Sequence, residues 1–559
     1  MDKAHLQRAS VTAPSHISKL KIKMIVALVT VSLLGSAISA AAREPNYVIF
    51  SFQTSGGFAP PGKNIGEPTE DVWDAEERRL VEQLRQEFGE QRPGQQRHIG
   101  FSVDLTPTLN VRPEQLKTEV KLALDLAELN SIPVLFHLDD QHFWWQSPEL
   151  CRSPDMVEWS DFPKKGQAHG PVVPKYWLNW GTPVAVYPAP PPCFACGAFR
   201  EALGKRLEIV ASLIVPRLSA WRKQGKEYLL AGVVAGNETQ VPDFSHGYPG
   251  YTGVGEAVGV NKAQNPPPVV RMSPGEMVPI GYHSLYAMGY NWDSLQRLAR
   301  AQNKSLDQTV KQLFDKVAHD YAEFQAQTLN ADGLPKSLIY THFTSANHSV
   351  NESANAPPSA GRPGSSNLAP PISSAINAYS RPGFTVVHDG VDLDALEAQL
   401  KNAHAPEDGR AWAVVESYIS TGQPGVPQMQ QQYEEYLGGL FSHGAKLVNV
   451  LGWNIPTGEP FAVRGSAAVP VVKKWLAGAN LPPTWHRSRA AEETKESMQA
   501  EFKALQKVAA DAVARGCDPR QVQALIDSFN KECTPLAKTG HLPEARAIIE
   551  RTIARLRAL

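Results

Sequence analysis

Leu229-Leu230-Ala231-Gly232-Val233-Val234-Ala235-Gly236-Asn237-Glu238-Thr239 is a short, almost wholly apolar run that ends abruptly in an amide followed by a carboxylate. A continuous apolar run of this length reads as a strand covered on both faces, as in a parallel sheet. Packing gives such a strand no use for a glutamate, and a buried carboxylate without a partner is costly. At the carboxyl end of the strand, however, the side chain can emerge into the crevice where α/β proteins place their chemistry. Asn237 and Glu238 are therefore the first candidates for a catalytic site, with Glu238 as the acid.

Working outward, apolar runs at 47–52, 97–104, 132–139, 228–234, 337–342, 384–388, 411–416 and 446–453 read as strands. Between them, segments with helical apolar spacing fall at 72–88, 112–129, 199–223, 280–329, 393–403, 427–442 and 467–477. Strands alternating with helices over 43–480 predict an α/β fold, a (β/α)8 TIM barrel. A doubly wound open sheet is the competing layout. It calls for a glycine-rich phosphate turn after its first strand, and Ser55-Gly56-Gly57 does not fit that turn. Residues 142–197 form a long aromatic excursion, while 242–279 and 345–370 are loops rich in glycine, proline and small polar residues. The remainder, 487–559, is polar and reads as an appended C-terminal helical domain.

Composition narrows the partners. Apolar residues make up 42% of the chain, enough for a sizeable core. The formal net charge of −1 gives no reason to expect nucleic acid or an anionic membrane. Many of the tryptophans, tyrosines and prolines lie outside periodic segments, which suggests structured aromatic loops suited to neutral, flat-faced ligands. Near the N-terminus, Lys19, Lys21 and Lys23 precede an apolar stretch at 24–34 and small residues at 36–42. That order is a secretory signal peptide over 1–42, with Met24 as an alternative start. Its apolar core is short for a bilayer span, so the mature chain is expected to be secreted or periplasmic without stable membrane insertion. Oligomeric state has no signature in the sequence.

Export permits disulfides, and there are five cysteines. Cys193 and Cys196 have metal-ligand spacing, but no second ligand pair at matching spacing accompanies them. The expectation is that Cys151 bridges one of the two. Cys517 and Cys533 flank a helical segment, and on a straight helix they would stand about 20 Å apart. A disulfide spans less than about 7 Å, so these two are left unassigned.

The strand ends, taken in order, are Gln53, Asp104, Asp139 with Asp140, Asn237 with Glu238, His342, His388 with Asp389, Glu416 and Trp453. So many ionisable groups at one end of a barrel exceed what stability requires, and they point to a site. Glu238 after strand four and Glu416 after strand seven are the informative pair. Two carboxylates across a barrel mouth suit glycoside hydrolysis, one as acid/base and the other as nucleophile, with environments that push their pKa values apart.

At Asn237, Glu238, Glu416 and Trp453 the chain resembles the retaining β-glycosidases of clan A across 47–478. In those enzymes a (β/α)8 barrel carries its acid/base Glu after an Asn at the end of strand four, and its nucleophilic Glu ends strand seven. The resemblance implies Glu238 as acid/base, Glu416 as nucleophile, Asn237 on the 2-hydroxyl and Trp453 as the floor of a sugar subsite. Where many relatives end strand six in a Tyr, His388 stands nearest here. Asp104, Asp139, Asp140, His142, His342 and His388 are candidates to hydrogen-bond sugar hydroxyls, and Trp144, with Trp145, Trp177 and Trp180, to line further subsites. This chemistry needs a carbohydrate substrate but no cofactor and no metal. Three rival readings remain: Asp389 in place of Glu416, a metal-dependent hydrolase built on His137, His142, His342 and His388, and a non-catalytic carbohydrate-binding or assembly protein.

Overall fold

A computed structural model of the chain describes residues 44–52, 70–109, 112–140, 144, 147–173, 176–179, 183–187, 190–241, 280–343, 346, 370–387, 391–403, 411–418, 427–455, 462–483, 489–538, 548–549, 551–553 and 555–557. The expected leader over 1–42 lies outside them. Eight parallel strands close into a barrel: β1 (Asn46–Phe52), β2 (Arg97–Pro107), β3 (Val134–Asp139), β4 (Leu230–Thr239), β5 (Ile339–Phe343), β6 (Gly383–Val387), β7 (Trp412–Tyr418) and β8 (Ala445–Val450). Closure is explicit, because β1 pairs with β2 on one side and with β8 on the other, Tyr47 opposite Leu447 through Phe50 opposite Val450. An open doubly wound sheet would leave two free edges, so that alternative is excluded.

Helices follow the strands and cover the ring: α1 (Glu70–Phe88), α2 (Pro113–Asn130), α3 (Gly197–Lys223), α4 (Leu306–Ala331), α5 (Leu393–Asn402), α6 (Pro427–Ser442) and α7 (Ala468–Leu476). The crossover from β5 to β6 carries the 3₁₀ turn Ile372–Ala375 among its described residues. Side chains of alternating parity divide between two cores. Outward residues such as Val48, Phe50, Phe101, Phe136 and Val414 pack under the helices.

The inward set changes character along the bore. Its lower part is apolar, with Tyr47, Ile49, Leu135, Ala231, Val234, Tyr340, Ala413, Val415 and Leu447 in one cluster. Below them His98 is stacked between Tyr47 and Tyr228, with ring centroids at 5.5 and 4.8 Å. Arg381, just before β6, ties this end shut by a two-pronged pair with Glu44 (2.6 and 2.9 Å) and a bond to the Ser337 carbonyl. Toward the carboxyl ends the lining turns polar: Ser51 donates to Asn449 (2.7 Å), and Asn449 donates to the Val415 carbonyl (2.9 Å).

Two features depart from expectation. The excursion before α3 contains an antiparallel hairpin, Tyr176–Asn179 with Pro183–Tyr187, hidden in sequence by its prolines. Cys193 and Cys196 are bonded to each other, with Cα atoms 5.4 Å apart, and Cys151 is a free buried thiol. The expected Cys151 bridge is therefore corrected: the sulfur three residues away was the nearer partner. Neither Cys517 nor Cys533 is disulfide-bonded. Beyond the barrel, α8 (Arg489–Ala514) and α9 (Pro519–Lys538) share a separate apolar cluster with Ile548, Ile549 and Leu556. No described helix is long and apolar enough to cross a membrane.

Candidate active site

Bulges at the strand tips build the site. Between Ala235 and Thr239, β4 advances four residues while its partner β5 advances two, from Thr341 to Phe343. The surplus is absorbed at Gly236 (φ 82°) and Glu238 (φ 42°). A Cβ on Gly236 would sit 2.9 Å from Gln325 Nε2 in a backbone region that favours glycine, so this position has little choice of residue. Glu238 has no such freedom. A non-glycine residue held in the left-handed region costs on the order of 1–3 kcal/mol and clusters at functional sites.

A second bulge lies in β7. There β6 steps from Phe384 to Thr385 while β7 steps from Val414 to Glu416. The extra residue turns Glu416 into the bore directly after inward-facing Val415, and the next side chain, Ser417, bonds Tyr436 of α6 at 3.0 Å. Bulges of this kind re-aim a side chain and recur beside active sites.

The result is a compact buried cluster. Thr385 Oγ1 donates toward Glu238 Oε1 and Glu416 Oε2, each at 3.2 Å. His342 Nε2 lies 2.7 Å from the same hydroxyl and 3.5 Å from Glu416 Oε2. Behind it His137 Nε2 meets His342 Nδ1 at 3.0 Å. One donor atom from each of Glu238, His342 and Glu416 lies within 4.8 Å of the others. Burial, together with the nearby Glu416 charge, pushes the Glu238 carboxyl well above the usual range, and the Thr385 hydrogen bond partly opposes this. The cluster thus holds one carboxyl predisposed to keep its proton beside a second carboxyl flanked by an imidazole and a hydroxyl.

The other expected residues divide. Asn237 is buried on the β4 tip beside Glu238, and Asp139, buried at the end of β3, shares the parity of Leu135 and His137. Asp104 lies in β2, where the register shifts between Val103 and Thr106, and its side chain is outside the described set. His142, His388 and the rival Asp389 are also outside the described residues.

Three expectations are corrected. Asp140 faces outward and accepts from Tyr321 and Gln325 of α4 (3.2 Å for Gln325), so it anchors a helix to the β3 tip. Trp144 is fully buried, its indole N–H bonded to the Pro190 carbonyl at 3.0 Å and its ring edge-on to Phe199 at the start of α3. Trp453 is buried between Phe50 and Phe88 of α1, at 5.0 and 5.9 Å, in the layer between strands and helices. In each case an aromatic or acidic side chain at or beyond a strand end found an apolar or polar partner on a covering helix or the excursion. Sequence reasoning missed Thr385 altogether, and it took His137 only as a metal-ligand candidate. The signal was their inward parity on β6 and β3.

No known family's sequence profile matches this chain, and no curated protein matches it in sequence. Among solved structures, the catalytic domain of β-amylase from Paenibacillus polymyxa is 10% identical with a TM-score of 0.41, over 79% of this chain and 100% of that one. A broad-specificity endoglucanase from an uncultured bacterium is 10% identical with a TM-score of 0.37, over 78% and 95%. A β-galactosidase from the psychrophilic Marinomonas ef1 is 11% identical with a TM-score of 0.37, over 85% and 61%. At these scores the likeness adds nothing to the barrel already read from its strand pairing.

Proposed function

We propose that this chain is an exported retaining glycoside hydrolase acting on β-linked glycans or oligosaccharides, with Glu416 as nucleophile and Glu238 as acid/base. One observation carries the reading. The donor oxygens of Glu238 and Glu416 approach within 4.8 Å, bridged by Thr385. Retaining enzymes set their carboxyls about 5–5.5 Å apart, and inverting ones about 6.5–9.5 Å to admit a water.

The chemistry follows from the environments. Glu416 attacks the anomeric carbon while protonated Glu238 delivers its proton to the departing glycosidic oxygen. Once Glu416 is esterified, its charge disappears, and with it one of the two causes of the raised Glu238 pKa. Glu238 has by then lost its proton and can take one from the incoming water, so a single residue serves both half-reactions. Asn237, adjacent on the same tip, would hold the 2-hydroxyl, an interaction that strengthens in the transition state.

The test is a panel of aryl β-glycosides with wild type, Glu238→Ala and Glu416→Ala. Turnover should fall on the order of 10⁴-fold or more in the Glu416 variant, and azide should restore it by forming a glycosyl azide. Full activity in either variant would sink the assignment, and no activity in the wild type would favour a carbohydrate-binding role. A second reading has its own support, because Glu238, His342 and Glu416 also place three ligand atoms within one ion's reach. Activity abolished by a chelator and restored by a divalent cation would select it over the proposed mechanism.

A further inference from the structure

Outside the barrel mouth, the excursion and the short helix Tyr282–Ala287 build a second cluster of donor side chains. Cys193 and Cys196 are both buried at the start of α3, and His283 reaches them from a part of the chain some ninety residues later. One donor atom from each of the three lies within 4.8 Å of the other two. The imidazole is fixed on two sides. Its ring stacks on Trp159 with centroids 3.6 Å apart and planes 5° from parallel, and its Nδ1 is 2.7 Å from the Val157 carbonyl. A carbonyl bond on one ring nitrogen sets the tautomer and directs the other nitrogen to a ligand, as in histidines that bind metals.

A second observation points to a cation. The carboxylate of Glu158 is buried beside this cluster and accepts from Ser284 Oγ, from Ser284 N at 3.3 Å and from His283 N at 3.1 Å. Among the described residues no basic side chain pairs with it. Ser284 Oγ in turn lies 3.6 Å from Cys193 Sγ, so the carboxylate, hydroxyl and sulfur are contiguous. A buried carboxyl with no basic partner among the described residues, contiguous with two sulfurs and an imidazole, is a surrounding that a divalent ion would complete.

We propose that Cys193, Cys196 and His283 form a zinc site in the reduced protein, with Nε2 of His283 as the nitrogen ligand and the disulfide as the alternative state of the same two sulfurs. The C-x-x-C spacing lacked a third ligand in the sequence, and the fold supplies it. Two thiolates and one imidazole suit tetrahedral zinc, with water at the fourth position bonded to Ser284 and Glu158. The exchange balances. A dithiol reduces the Cys193–Cys196 bond by two electrons and leaves as its own cyclic disulfide, giving two protein thiols. Zinc then displaces the two thiol protons. An organic disulfide reverses the change, taking two electrons from the thiolates and releasing the ion.

The full chain would be reduced with a dithiol, desalted, exposed to zinc chloride, and its metal counted after gel filtration. One zinc per chain is expected for the reduced protein and none for the oxidised one. Cys193→Ser and His283→Ala should each lose the ion, whereas the pair Cys517→Ser with Cys533→Ser should retain it. Because the first two variants could misfold, cobalt is added to reduced wild type as an independent reading. Thiolate-to-cobalt charge transfer with a tetrahedral ligand-field band is expected. Absence of that band, absence of zinc from the reduced chain, or retention of zinc by a folded His283→Ala protein would each overturn the proposal.

Discussion

Thr385 is the residue that joins the two carboxylates, and nothing in its own identity announces this. A threonine in the middle of a strand reads as ordinary β-branched packing. Its hydroxyl matters because β6 parity turns it inward, level with the bulged Glu416. Replacing Thr385 by Val keeps the shape and removes the bond that holds the Glu238 pKa down, so that pKa should rise further. Under the proposed mechanism Glu238 must be protonated to act as the acid, so the alkaline limb of the kcat/KM profile should move to higher pH. The rate should fall at least about tenfold, because the lost hydroxyl serves both carboxyls and His342. Stability follows the same sign. A carboxyl whose pKa is raised on folding stabilises fully below its unfolded pKa and loses that contribution as pH rises through the folded value. In Thr385→Val that loss should begin at the same pH, set by the unfolded chain, and continue to higher pH, which a pH series of urea midpoints reads directly. Glu238 and Glu416 were legible because carboxylates at strand ends are anomalous. Asp140, Trp144 and Trp453 misled because side-chain direction at a tip depends on bulges and loops that no local pattern reveals.

Among the elements, all eight strands fall within a few residues of their sequence-based bounds, because a strand covered on both faces must be apolar throughout. Registers were not legible. They depend on surplus residues in β4 and β7 whose only local traces are Gly236 and the short spacing from Val415 to Glu416. The lower ends of β1, β5 and β6 are held by Arg381, which is 4% exposed and bonded to Glu44 and Ser337. Arg381→Met should cost roughly 2 kcal/mol, less than a wholly buried pair because Glu44 keeps contact with solvent. The measurement is a lowered urea midpoint with kcat unchanged per folded molecule. A fall in kcat at unchanged stability would mean that this end is coupled to the chemistry.

For the whole molecule, the barrel and the tail have apolar clusters without a residue in common. Deleting 487–559 should therefore leave the melting temperature of the barrel and its kcat/KM as they are. A barrel that fails to fold without those residues would show that the tail completes its core. The helical character of the tail was plain from its sequence, but the separateness of its apolar cluster was not, since amphipathic spacing does not say which surface a helix covers. Within the barrel, the nine packed apolar side chains below Glu238 and Glu416 plug the bore like a stopper in a vial. Whatever enters must go back out through the opening by which it came, and a reaction product sitting there obstructs the next arrival. Under the proposed function, turnover in such a vessel would depend on how quickly it empties as well as on how quickly bonds break.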